Sequence, residues 1–121
     1  MSDAPSGPAD CLFCRIVRGE IPARIVFENE RLLAFDDIRP QAPVHFLLVP
    51  KDHFASLNEA PGGSEGLLGE ILLRAREVAR AKGVGESGYR VVLNTARDSG
   101  QEVFHIHFHV LGGRRLGWPP G

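Results

Sequence analysis

From His105 to Val110 the sequence alternates without exception: His105, His107 and His109 are separated by Ile106, Phe108 and Val110. A period of two belongs to a β-strand, whose successive side chains point to opposite faces. The run therefore predicts a strand over Val103–Leu111 with two chemically different sides. Its apolar side needs a covering layer, and its other side, an outer face, brings three imidazoles into line at a repeat of about 6 to 7 Å.

The covering layer is legible upstream. Leu67, Leu68, Ile71, Leu72, Ala75, Val78 and Ala79 form one apolar stripe, opposed by Glu70, Arg74, Glu77 and Arg80, the pattern of a long helix laid on a sheet. Ser64 is the candidate N-cap, and Gly83 and Gly85 end the helix. Leu12, Phe13, Ile16 and Val17 predict a short helix from about Cys11 to Arg18, stopped before Gly19. Strands are expected over Ala23–Phe27, Leu32–Phe35, Val44–Val49 and Tyr89–Leu93, each bounded by turn or proline signals. Five strands in succession with one long and one short helix describe an α+β domain with a mainly antiparallel sheet, because the connections are too short for repeated βαβ units.

With 121 residues, 43% apolar and 24% charged, the chain fits one globular core. The expected organisation is a flexible N-terminal segment over residues 1–10 and a single domain over 11–121. Lysine plus arginine number 14 against 15 acids, with no run of like charge, so neither a nucleic-acid nor a membrane partner is indicated. No apolar run approaches the roughly 18 residues of a membrane-spanning helix, and residues 1–10 lack the basic and apolar parts of a secretory signal. A cytoplasmic location is expected. Cys11 and Cys14 are too close for a useful structural disulfide and read as reduced thiols or a metal pair.

Three imidazoles on one face support two chemistries. Histidines at i and i+2 on a strand can hold catalytic zinc, which would make His105, His107 and His109 the ligands of a zinc-dependent hydrolase. Alternatively one imidazole is a nucleophile and its neighbours orient a phosphate. The preceding Asp98-Ser99-Gly100-Gln101-Glu102 favours the second, since Gly100 lets backbone N–H groups approach an anion and the Gln101 amide adds a donor.

The segment His105-Ile106-His107-Phe108-His109-Val110-Leu111 resembles the signature of the histidine triad family, His-φ-His-φ-His-φ-φ with φ apolar. The resemblance continues through Glu20-Ile21-Pro22-Ala23, Ala34-Phe35-Asp36-Asp37-Ile38, Pro40 to Phe46, Val49-Pro50-Lys51, Gly100 to Phe104 and Leu111 to Arg114. It covers nearly all of the chain after residue 10. The ending Trp118-Pro119-Pro120-Gly121 is similar to that of the family's nucleotide-binding branch. The resemblance implies the HIT-like fold, a homodimer whose protomers join their sheets, and a hydrolase acting on the phosphorus–nitrogen or acyl-phosphate bond of purine nucleoside 5'-phosphoramidates. Conjugates of AMP or GMP are the implied substrates, with an adaptor that binds nucleotide and catalyses weakly as the alternative.

Carried over by position, His107 is the implied nucleophile that becomes a transient nucleotidyl-histidine. His109 contacts the phosphate or helps protonate the leaving group, His45 helps orient the His107 imidazole, and His105 is an orienting neighbour. Asp37 matches the carboxylate on the ribose hydroxyls and Ile38 the apolar residue against the base, with Phe13 and Leu47 completing the slot. Asn94 matches a phosphate or ribose contact, and Gly100, Gln101 and Glu102 match the phosphate loop. Glu102 departs from the serine that several animal members carry there, so its backbone N–H is a better anion ligand than its carboxylate. No metal is implied for catalysis. Some relatives with this cysteine pair hold structural zinc with two histidines, which here correspond to Cys11, Cys14, His53 and His105.

Overall fold

Two apolar layers on opposite sides of one sheet place every residue of interest. A computed structural model describes residues 8–121; the expected flexible lead-in thus falls, for residues 1–7, outside the described residues. The elements in chain order are α1 (Leu12–Val17), β1 (Ile25–Glu28), β2 (Leu32–Asp36), β3 (Val44–Pro50), α2 (Glu65–Ala81), β4 (Tyr89–Leu93) and β5 (Phe108–Gly112), with single 3-10 turns at Leu57–Glu59 and Arg97–Ser99. The α+β class and the antiparallel five-stranded sheet are as expected. The spatial order is β1-β2-β3-β5-β4, and every neighbouring pair is antiparallel. The chain leaves β3, crosses through α2 to β4, and returns to fill the gap it skipped, so the histidine segment arrives at the centre of the sheet.

Alternation within the strands divides the core. Leu32, Ala34, Phe46, Leu48, Ile106, Phe108 and Val110 pack with Ile71, Ala75, Val78 and Ala79 of α2. Leu33, Phe35, Leu47 and Val49 point the other way and meet Phe13 of α1. Each face thus has its own helix, and the apolar side of the histidine segment lies under α2 as its sequence requires. No helix among the described residues is long and apolar enough to cross a membrane.

Three local details differ from the pattern that the sequence suggests. The regular strand begins at Phe108, not Val103, because the ladders from β3 and β4 both end opposite Phe108 and leave the preceding residues no paired neighbours. Ser64 is the N-cap of α2 as expected, but its backbone is αR (φ −78°, ψ −2°) and its hydroxyl donates to the Pro61 carbonyl at 2.6 Å instead of accepting from the first turn of the helix. Leu72 is nearly half exposed, so the buried stripe of α2 is narrower than the sequence suggests.

Candidate active site

His109 is held in the ladders of β5, whereas His105 and His107 precede them and are held by other bonds, and the hydrogen bonds of the three rings assign each its role. The Ile106 N–H donates to the Phe54 carbonyl at 2.9 Å, which keeps Ile106 in the α2 core. The alternation therefore survives outside regular β-structure, and His105, His107 and His109 share the side facing α1. That side is not an outer face: His105 is fully buried and His107 is 6% exposed, because Phe13 lies over them. The Phe13 ring meets His107 edge-on at 5.0 Å between centroids, and Phe35 similarly at 5.6 Å.

Hydrogen-bond partners fix the tautomers, since a carbonyl can only accept and a backbone N–H can only donate. His107 Nδ1–H donates to the His105 carbonyl at 2.8 Å, which leaves its Nε2 with a lone pair. The Gln41 N–H donates to His45 Nδ1 at 3.0 Å, so the His45 proton is on Nε2, 3.0 Å from His109 Nδ1. His109 must then accept at Nδ1 and carry its own proton on Nε2. A nucleophile with a free electron pair and a neutral N–H donor result, their ring centroids 5.0 Å apart. His45 orients His109, not His107 as the sequence reading had it. The register explains the change: His109 opposes Leu47, so His45, two residues earlier on β3, is its diagonal neighbour on the same face.

Burial keeps these rings neutral. It holds His107 below the ordinary imidazole value, against the opposing pull of the His105 carbonyl and Asp37. His109 is pushed down to about 4 by burial, then by His107 and His45. His45 is also lowered by burial, with Asp37 opposing, whose Oδ2 is 3.5 Å from His45 Nε2.

A cavity of about 340 Å³ opens beside these rings. Of the expected contact residues Phe13, Asp37, Ile38, Leu47, Asn94, Gly100 and Glu102 all line it, with His107 and His109. Ile38 is 90% exposed, which rules out a core role, and it offers an apolar surface at the rim. Phe13 and Leu47 are buried and present only an edge. Gln101 is different. Its amide N–H groups donate to the carbonyls of Ala55 (2.7 Å) and Val103 (3.1 Å), and its oxygen accepts from the Ala96 N–H at 2.8 Å. Those amide donors are committed to the backbone, so Gln101 braces the loop instead of offering the side-chain donor expected of it. Gly100 adopts φ +85°, which glycine tolerates best. In the same loop Ala96 sits at φ +66°, ψ −171°, a region that costs a residue with a Cβ on the order of 1–3 kcal/mol. Nothing in the sequence announced that strain.

His105 turns its ring away from the cavity. Its Nε2–H donates to the Pro50 carbonyl at 2.8 Å, which aims the Nδ1 lone pair at Cys11 Sγ (3.5 Å), Cys14 Sγ (3.5 Å) and His53 Nδ1 (3.2 Å). Cys14 Sγ is 3.3 Å from His53 Nδ1. Zn–S bonds of about 2.3 Å and Zn–N bonds of about 2.05 Å at tetrahedral angles give N···S edges of about 3.5 Å and an N···N edge of about 3.3 Å. The four donors fit zinc. Both cysteines are thiols, not a disulfide. Burial pushes Cys14 up to about 12, with Cys11 adding to the rise; a cation is what brings such a sulfur to thiolate. A zinc ion on His105, His107 and His109 together does not fit. Among the described residues donor atoms converge in two places, Cys11, Cys14, His53 and His105, and Asp37, His45 and His109, and neither gathers the three.

Comparison with known proteins bears on the family and the fold. The HIT domain family model matches residues 18–116. The chain is 50% identical over 112 residues to an uncharacterized HIT-like protein of Synechocystis, covering 93% of this chain and 97% of that one. A HIT family hydrolase from Legionella pneumophila superposes with a TM-score of 0.90 at 54% identity, over 93% of this chain and all of the other. A histidine triad nucleotide-binding protein from Candida albicans gives 0.78 at 34% identity, over 91% and 83%.

Proposed function

The chain belongs to the HIT domain family, and on that premise we propose that it is a hydrolase of purine nucleoside 5'-phosphoramidates, of the adenosine 5'-monophosphoramidase type. The observation that carries the reading is the tautomer of His107: its proton is held on Nδ1 by the His105 carbonyl, so the Nε2 electron pair is available at a cavity of nucleotide size. In the first step Nε2 attacks phosphorus and an N–P bond forms. The bond to the leaving amine breaks, its electron pair stays on the amine nitrogen, and that nitrogen takes a proton from water. The His105 carbonyl, bonded to Nδ1–H, stabilises the positive charge that the phosphorylated ring acquires. In the second step water attacks phosphorus and loses a proton to solvent, and the electron pair returns to Nε2. His109 Nε2–H donates to a phosphoryl oxygen as charge develops there. Two moderate barriers replace one high barrier.

In this reading Asp37 takes the ribose hydroxyls, Ile38, Phe13 and Leu47 hold the base, and Asn94, Gly100 and the Glu102 N–H face the phosphate. Zinc at Cys11, Cys14, His53 and His105 is structural and ties α1 to the approach of β5; catalysis needs no metal. A homodimer forms through β4, an exposed sheet edge with Val91 open to solvent, whereas the opposite edge, β1, is interrupted by a register shift between Ile25 and Phe27. Reduced thiols suit a cytoplasmic location.

The test is direct. Incubation with adenosine 5'-phosphoramidate, acid-free quenching and peptide mass analysis should find a nucleotidyl group on His107. His107→Asn should lose both the adduct and turnover while still binding AMP. Normal turnover in that variant would sink the proposal.

A further inference from the structure

Resting on the phosphoramidase reading, we propose that Glu102, which among the described residues is the one cavity carboxylate without a side-chain partner, selects substrates whose leaving amine bears a positively charged group, an ammonium or guanidinium.

Among the described residues no lysine or arginine lines the cavity, whereas Asp36, Asp37 and Glu102 do. A site for a phosphate ester without a cationic side chain is unexpected, since arginine and lysine are the usual partners of that group. Two of the acids are neutralised or engaged. Asp36 accepts from Lys82 Nζ at 2.8 Å. Asp37 accepts the Arg39 N–H at 2.8 Å through Oδ1 and approaches His45 through Oδ2. Among the described residues Glu102 makes no side-chain hydrogen bond or ion pair, and it is exposed.

Its backbone, by contrast, is fixed. The Gln101 amide reaches across it to the Val103 carbonyl and anchors the same loop to Ala55 and Ala96. A carboxylate on a braced loop stays at the cavity whether or not substrate is present. There it disfavours a second negative charge and favours a positive one on whatever projects from the phosphorus. The nucleoside end is provided for by Asp37, Ile38, Phe13 and Leu47, so the group that meets Glu102 is the leaving amine. A nucleoside phosphoramidate has one negative charge, and a cationic leaving group brings it to neutrality. After cleavage the amine departs with its charge, and the nucleotide left behind gains negative charge against the same carboxylate, which promotes its release.

The experiment compares two adenosine 5'-phosphoramidates of equal length, one from 1,6-diaminohexane and one from heptylamine, with the intact protein and with Glu102→Gln and Glu102→Lys. The ratio of kcat/KM for the two substrates is the readout, and comparing that ratio among proteins removes any intrinsic difference in reactivity. The native protein should favour the diamine by about fivefold at low ionic strength, the upper range for an exposed charge pair, and less at high salt. Glu102→Gln should bring the ratio close to the intrinsic one and Glu102→Lys should invert the preference. Turnover of both substrates with a ratio that neither substitution changes overturns the role of Glu102 and leaves the phosphoramidase reading standing. Failure of the native protein to cleave either substrate, with no adduct on His107, overturns that reading and this inference with it.

Discussion

Removing His45 tests the tautomer chain most directly. In His45→Phe the ring volume is approximately kept, but His109 Nδ1 loses the donor now 3.0 Å away. His109 is then free to carry its proton on either nitrogen, and the Nε2–H that faces phosphate is no longer enforced. A hydrogen bond to a charged group is worth about 1.5–3 kcal/mol, and a factor of ten in rate corresponds to about 1.4 kcal/mol, so kcat should fall roughly 10- to 100-fold. The fall should stop well short of the loss in His107→Asn, because His107 keeps its bond to the His105 carbonyl. Formation of the nucleotidyl-histidine should therefore slow without being abolished. Single-turnover quench experiments on adenosine 5'-phosphoramidate give the rate. Nitrogen-15 correlation spectra of the imidazoles give the mechanism, with His109 moving from a pure Nε2–H tautomer to a mixture. His45→Gln, which retains an N–H donor, should recover part of the rate. An unchanged His109 tautomer in His45→Phe would refute the chain, and a shift of the His107 tautomer in its place would return His45 to the role first expected of it.

The other predictions concern pH, metal and strain. Because burial lowers His107, the acid limb of kcat/KM should have its midpoint below 6.5, the ordinary imidazole value; a midpoint at or above 6.5 contradicts the site's electrostatics. The same depression sets stability: His109, at about 4 in the folded chain, binds protons less readily than in the unfolded chain, so its contribution is complete above pH 6.5 and is lost as pH falls toward 4. Thermal scans from pH 7.5 to 4.5 should show Tm falling across that window, and a rising Tm is the contrary result. The double substitution Cys11→Ser, Cys14→Ser should reduce bound zinc from one equivalent to none by elemental analysis and raise KM several-fold through loosened seating of Phe13, with the His107 adduct still formed; loss of the adduct would assign the metal to catalysis. Ala96→Gly should be neutral to stabilising by up to about 2 kcal/mol in urea unfolding, as relief of the positive-φ strain of about 1–3 kcal/mol outweighs the glycine entropy of about 0.5–1 kcal/mol; clear destabilisation would show that Ala96 is not strained.

Period-two alternation identified which side of the chain Ile106, Phe108 and Val110 would bury, because the hydrophobic effect acts on the pattern however the segment is bonded. Helical periodicity found α2 and its long contact with the sheet for the same reason. The extent of β5 was not legible. It depends on where β3 and β4 stop offering partners, and Pro50, at the end of β3, contributes a carbonyl to His105 and has no N–H for a ladder. The burial of the histidines was hidden as well. It results from α1 folding back over the sheet, and six residues with Phe13 in second place show no sign in sequence of which surface they will cover. Gln101 was misjudged because an amide beside a glycine-rich turn looks the same whether it reaches out to a ligand or inward to Ala55 and Val103.

What separates three equivalent positions in a repeating motif is the direction in which each ring's hydrogen bond fixes its remaining nitrogen. His105 gives Nε2–H to Pro50 and turns Nδ1 to the cysteines, His107 gives Nδ1–H to the chain and turns Nε2 to the cavity, and His109 receives at Nδ1 and keeps a proton on Nε2. Only one of the three anchors, the His105 carbonyl, lies within the motif. The others are Pro50 and His45, both on β3. The same residue, His105, therefore serves the metal-binding cluster with its side chain and the nucleophile with its main chain. The ring and the carbonyl are anchored separately, the ring by Pro50 and the cluster and the carbonyl by the backbone around it, so the ring can shift about its side-chain torsions while His107 keeps its proton on Nδ1. Substitutions in the cysteine cluster should accordingly affect substrate seating before they affect the chemical step, since among the described residues no backbone hydrogen bond joins α1 to the sheet, whereas the peptide that carries the His105 carbonyl is also held through the Ile106 N–H bond to Phe54.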